Sequence, residues 1–135
     1  GCAFQNNIVY PEFFEENPDS QNEIYQDRYG IYEVNCRLNN VTLSWGHDEY
    51  MYLVAHDYLP EPALYMIRYH SFYPGHSSES YSHLFDDHDE EMFDWVRRFN
   101  RYDLYTKHDQ RPDVAALRPY YQDLISRYFP DEVVW

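Results

Sequence analysis

The chain has 135 residues, enough for one domain with its own core, and a net charge of −14 from 24 acidic and 10 basic residues, a balance that disfavours nucleic acid and anionic membranes as partners. Sixteen Tyr and eight Phe set it apart from disordered chains, which are poor in aromatics. Two Cys, Cys2 and Cys36, make no disulfide framework, and no signal peptide or membrane-length apolar run is visible, so a reduced, cytoplasmic setting is expected.

Residues 1–38 read as a largely irregular lead-in, broken by Pro11 and Pro18 and by the turn signal Asn17–Pro18–Asp19. Glu23–Tyr32 is expected to hold a short element closed near Gly30. A lead-in this long is expected to rest on another part of a larger protein. Residues 39–135 read as a helical core. Asn39 or Asn40 is expected to cap a helix running to about His56, with Leu43, His47, Tyr50, Met51 and Val54 on one apolar face. Pro60 and Pro62 open a second helix, extending to about Phe72, whose face holds Ala63, Met66, Ile67 and His70. Gly75–Ser80 reads as a polar loop. The nearby His76, His83 and His88, set among Asp86, Asp87 and Asp89, read as a solvated acidic surface rather than a metal site. A third helix is predicted from Glu90 to about Tyr102, its stripe of Met92, Val96 and Phe99 extended by the next turn to Asp103. After a connector at 108–112, Asp113 caps a last helix with Val114, Leu117, Tyr121, Leu124 and Tyr128 in line, closed by Pro130. No strand-length alternation persists, and there is no internal repeat, phosphate loop or Ser/His/Asp pattern. The predicted class is all-α, with at least four helices on one core.

Three successive apolar faces therefore end or centre on a metal-type side chain: His47, His70 and Asp103. A single histidine on such a face reads as a hydrogen-bonded core residue. Two histidines and a carboxylate converging from separate helices are a candidate metal site in a bundle, and both readings stand. Lys107 lies one helical turn after Asp103, where its ammonium would reach over such a site; alone it reads as a solvated surface lysine. Ser71, by itself, reads as a helix-end residue bonded to nearby backbone.

The segments Ser44–Tyr52 (SWGHDEYMY), Tyr65–Pro74 (YMIRYHSFYP), Phe99–Lys107 (FNRYDLYTK) and Leu117–Pro130 (LRPYYQDLISRYFP) together resemble the C-terminal half of the myo-inositol oxygenase family, in the family's order and at similar spacing. The resemblance runs from Gly1–Cys2 to Trp135. It implies an HD-domain-like helical bundle holding a mixed-valent Fe(II)/Fe(III) pair, which cleaves myo-inositol with O2 to D-glucuronate. By that resemblance His47 and His70 match the histidines of the substrate-binding iron, Asp103 matches a carboxylate ligand of the other iron, and Ser71 and Lys107 match residues that contact inositol hydroxyls. His47–Asp48 looks like the HD dipeptide but matches a later position of the family, so Asp48 reads as a helix-surface carboxylate or one supporting a ligand. The resemblance implies six protein ligands, three of which lie in this chain. With no initiator Met before Gly1, an N-terminal half carrying the others is expected upstream, and this chain alone is expected to be inactive. The alternatives are an HD-domain metal-dependent phosphohydrolase and a non-catalytic helical fragment.

Overall fold

A computed structural model describes residues 10–104 and 112–134, and all regular structure among them is helical. This agrees with the all-α class and is consistent with an HD-type bundle. The α-helices are α1 (His47–Ala55), α2 (Glu61–Tyr69), α3 (Tyr73–Ser77), α4 (Asp87–Asp103) and α5 (Val114–Tyr128). No described helix is long and apolar enough to cross a membrane.

The lead-in from Pro11 to Tyr25 forms three short 3-10 turns with no buried residue. Asn17 and Asn22 each accept a hydrogen bond from a backbone N–H two residues on, as Asn does in turns. The chain then runs beside the approach to α4, where Asn35 N–H and Arg37 N–H donate to His83 and Leu84 carbonyls at 2.8 and 3.0 Å. Leu38 enters the core there, fully buried.

Asn39 and Asn40 do not cap α1. They end a 3-10 turn, and the helix begins seven residues after Asn40, with Gly46 as N-cap. Asn39 Oδ1 is taken by Arg68 at 2.6 Å, and the β-branched Val41 leaves the turn extended. The stripe predicted for α1 is not the one it buries. Tyr50 and Met51 are exposed, whereas Ala55 is buried, with Tyr52 and Asp48 half-buried on the same side.

α2 is the central helix and packs on both α4 and α1. Its buried residues are Tyr65 and Tyr69, continued by Phe72, at offsets of four and seven. The predicted face of Ala63, Met66 and Ile67 lies nearly opposite and is half-buried. α2 stops at Tyr69, earlier than expected, and Pro74–Gly75 lies in α3, which begins at Tyr73, instead of in a loop. Glycine is required in α3, because a Cβ on Gly75 would stand 2.7 Å from the Phe72 ring.

The acidic run before α4 is the start of a helix. Asp86 Oδ1 accepts Asp89 N–H at 2.8 Å while Asp89 Oδ2 accepts Asp86 N–H at 3.1 Å, a reciprocal cap. Carboxylates in the first turn also complement the positive end of the helix. Asp89 is nevertheless completely buried, its carboxylate also taking Leu38 N–H at 3.0 Å and the Tyr65 hydroxyl at 2.7 Å. Phe93, Phe85, Tyr81 and Val96 complete this core. The solvated-surface expectation is thus wrong for Asp89, and equally for His76, which is 8% exposed.

Asp113 caps α5 as predicted, accepting Ala116 N–H at 3.1 Å, and the helix ends before Pro130. Its apolar stripe does not join the core: no residue of α5 is buried. A ring contact between Tyr58 and Phe129, with centroids 5.4 Å apart, ties its end to the turn after α1.

Candidate metal and polyol site

The N-terminal turn of α1 meets the C-terminal end of α2, and here two of the predicted residues come together. His47 Nε2 lies 3.0 Å from His70 Nε2. The tautomer of His70 follows from its other nitrogen, which stands 2.7 Å from the Ile67 carbonyl oxygen. A carbonyl can only accept, so Nδ1 carries the proton and Nε2 presents a bare lone pair. Without a cation, His47 Nε2–H donates to it. The same orienting bond, one ring nitrogen held by a carbonyl, is what metal-bound histidines use.

The separation also meets the demands of an ion. Two imidazole nitrogens each about 2.1 Å from one metal, at a right angle, stand about 3.0 Å apart. The pair therefore fits two adjacent positions of one coordination sphere, and imidazole suits iron. It supplies two donors only. Among the described residues no group of three His, Cys, Asp or Glu side chains could hold a metal ion.

Asp103 does not join the pair in such a group. α4 reaches His70 through Phe99, whose ring meets the imidazole edge-on at 6.3 Å, and Asp103 is one turn further along, about 6 Å on. There the Tyr73 hydroxyl approaches its Oδ2 at 3.5 Å. Lys107 lies outside the described residues.

Ser71, next to His70, donates its hydroxyl to Asp48 Oδ2, and Asp48 Oδ1 accepts Glu49 N–H at 2.9 Å. Partial burial opposes the charge on Asp48, but the bonds from Ser71 and from backbone N–H groups, with His47 beside it, outweigh that and hold its carboxyl below the usual range. At Gly46 a Cβ would come within 2.8 Å of Asp48 Oδ1, so a larger residue there would have to shift that carboxylate.

Two supports of this site had no clear signal in the sequence. His76 Nε2–H donates to the His70 carbonyl at 2.8 Å, and Ser77 Oγ lies 3.1 Å from its Nδ1. Burial pushes the imidazole below its ordinary pKa, against the raising effect of that carbonyl. Arg68 grips Glu49 with two bonds of 2.6 and 2.9 Å, reaches Asn39 at 2.6 Å, and lies 4.3 Å over the Tyr52 ring. It locks α1 to α2 on the flank of the His pair. A cleft of ≈ 290 Å³ opens beside it, lined by Asn39, Leu43, Trp45 and Glu49 among others, but neither histidine lines it.

The sequence model of the family described as myo-inositol oxygenase matches residues 1–135. The chain belongs to the myo-inositol oxygenase family. It is 51% identical to an inositol oxygenase of Dictyostelium discoideum, aligned over 100% of this chain and 47% of that protein. Identity is 50% to an inositol oxygenase of Danio rerio (100% and 50%) and 49% to inositol oxygenase 1 of Arabidopsis thaliana (100% and 44%). The chain thus spans about half the length of the curated relatives it matches.

Proposed function

We propose that this chain forms part of an inositol oxygenase, in which His47 and His70 hold one iron of a mixed-valent di-iron centre, Asp103 serves the second iron, and Ser71 and Lys107 contact the substrate. The observation that carries this reading is the Nε2–Nε2 approach of His47 and His70, with Ser71 directly beside it. The reaction we assign is ring cleavage of myo-inositol with O2 to D-glucuronate, in a cytoplasmic setting; membership of the family supports an inositol oxygenase. Iron, when bound, supplies the redox capacity that breaking a carbon–carbon bond with O2 requires.

The protein's own residues do the rest. The Ile67 carbonyl fixes the ring of His70 so that its lone pair faces His47, and His76 steadies the backbone behind it. Ser71 offers an oxygen to a sugar-like hydroxyl at the rim. Lys107 brings a cation for a charge-assisted hydrogen bond to the substrate. Because the chain holds three of six expected ligands, the remainder are expected from the part of the protein beyond it, where an HD-type His–Asp pair completes the bundle.

The test loads the full-length protein carrying this chain with Fe(II) under nitrogen, then admits O2 and myo-inositol. D-Glucuronate should form, and His47→Ala or His70→Ala should lower iron occupancy and turnover together. The 135-residue chain treated in the same way should form none. Hydrolysis of phosphate esters without any glucuronate would favour an HD-type phosphohydrolase instead.

A further inference from the structure

Two consecutive residues that open α1 face two consecutive residues that close α2. His47 meets His70, and Asp48 meets Ser71. The first pair has the donors for a metal. The second has a different character, because its two members can share a proton in only one sense. Asp48 is held in place by Glu49 N–H on one oxygen and by the room that Gly46 leaves around it. Its other oxygen accepts, and as a carboxylate it has nothing to donate. The proton of the Ser71 hydroxyl is therefore committed to Asp48. What remains on Ser71 Oγ is acceptor capacity only, on a half-buried side chain beside the histidines.

We propose that Asp48 is a positioning residue that makes Ser71 an obligate hydrogen-bond acceptor, so that the polyol bound beside the histidine pair must donate one of its hydroxyl protons to Ser71 Oγ. This rests on the inositol reading above and sharpens it into a rule of recognition. A free serine rotates its proton to suit either a donor or an acceptor on the ligand. Ser71 can turn its proton toward a ligand acceptor only by leaving the Asp48 carboxylate without its donor. Donation to that carboxylate also polarises the hydroxyl and strengthens Oγ as an acceptor. The site therefore discriminates at one ring carbon between a hydroxyl, which donates, and a fluorine of similar size, which does not.

The experiment uses the full-length, iron-loaded protein without O2, so that binding is read and not turnover. Calorimetric titrations compare myo-inositol with each of its monodeoxy-monofluoro analogues. In the wild type one ring position should show a preference for hydroxyl over fluorine of roughly tenfold, the usual scale for one lost hydrogen bond. Asp48→Asn should shrink that preference to within about threefold, because its amide donates to Ser71 Oγ and releases the serine proton to the ligand. Iron content should not change, since Asp48 ligates nothing. Ser71→Ala should abolish the preference at the same position, and Asp48→Asn added to it should change nothing further. An unaltered preference in Asp48→Asn overturns the proposal, as does an additive double variant. Should Asp48→Asn fail to fold, Ser71→Ala decides alone: a preference that survives it overturns the proposal. A wild type that holds iron but binds no inositol overturns the parent reading along with this one, whereas inositol binding with no preference between hydroxyl and fluorine at any position overturns this one only.

Discussion

At its N-terminal half, α2 sets the Tyr65 hydroxyl 2.7 Å from Asp89 of α4; at its C-terminal end, it sets His70 Nε2 3.0 Å from His47 of α1. Both contacts join helices through polar side chains, but their surroundings differ. Asp89 has no exposed surface and receives three donors from three parts of the chain: Leu38 N–H, Asp86 N–H and Tyr65. The histidine pair lies toward solvent, with His47 exposed and its metal-type nitrogens satisfied only by each other. The first contact is saturated and serves the fold. The second has coordinating capacity left over, and the residues that steady it, His76 and Arg68, stand behind or beside it and leave its nitrogens unblocked.

The largest effect expected from this contrast is that of Asp89→Ala. It strands three donors, two of them buried, and removes one half of the α4 cap, which should cost about 3–5 kcal/mol in urea unfolding. The other end should behave oppositely. His47→Ala, measured without metal, should change stability by no more than about 0.5 kcal/mol, as for a surface substitution. Added Fe(II) should then separate the two proteins. At roughly 100 times its dissociation constant, a ligand that binds only the folded state stabilises it by about 2.7 kcal/mol, and most of that gain should vanish in the variant. A metal-free loss in His47→Ala comparable to that of Asp89→Ala would break the comparison, because the histidine pair would then belong to the core.

The helical class, the caps at Asp113 and Pro130, the opening of α2 at Pro60–Pro62 and the course of α4 were legible because they follow from local chemistry: an oxygen that accepts early N–H groups, or a ring that cannot continue a helix. The buried faces were not. Aliphatic residues guided the reading of α2 toward Met66 and Ile67, whereas the core selects Tyr65 and Tyr69, whose rings are as large and whose hydroxyls reach partners. Asp89 was hidden by its neighbours. In a run of carboxylates, only three-dimensional packing distinguishes the one that turns inward to cap and be capped. The start of α1 was misplaced because an asparagine cap is favourable only if its oxygen is free, and Arg68, nearly thirty residues away in sequence, occupies that of Asn39. At the site, spacing alone brought His47 and His70 forward as candidates. The Asp48–Ser71 bond was not foreseen, because the reading of Asp48 left open a helix-surface carboxylate or one supporting a ligand, and only the packing of α1 turns it inward with Tyr52 and Ala55.

The smallest effect expected involves a third histidine, at the saturated end. His88 Nε2 lies 2.8 Å from Glu61 Oε1, linking the first turn of α4 to the first turn of α2 on the solvent side. The hydrogen bond to Glu61 raises the imidazole above its ordinary pKa; it outweighs the opposing effect of desolvation, and the Glu61 charge adds to the rise. The folded state therefore binds this proton more tightly than the unfolded chain. The stabilisation is fully present below the unfolded value of about 6.5 and is lost as pH rises through the higher folded value. Both side chains are well exposed, so solvent screens the pair and the contribution is slight. Unfolding midpoints of the wild type and His88→Gln, compared at about pH 5.5 and about pH 8.5, isolate this link from other titrations. The wild type should lead at the lower pH and lose that lead at the higher. A lead that grows with pH would mean that His88 acts as a neutral packing residue, and that the Asp89 end extends to the surface as a continuous buried network instead of ending beneath an exposed ion pair.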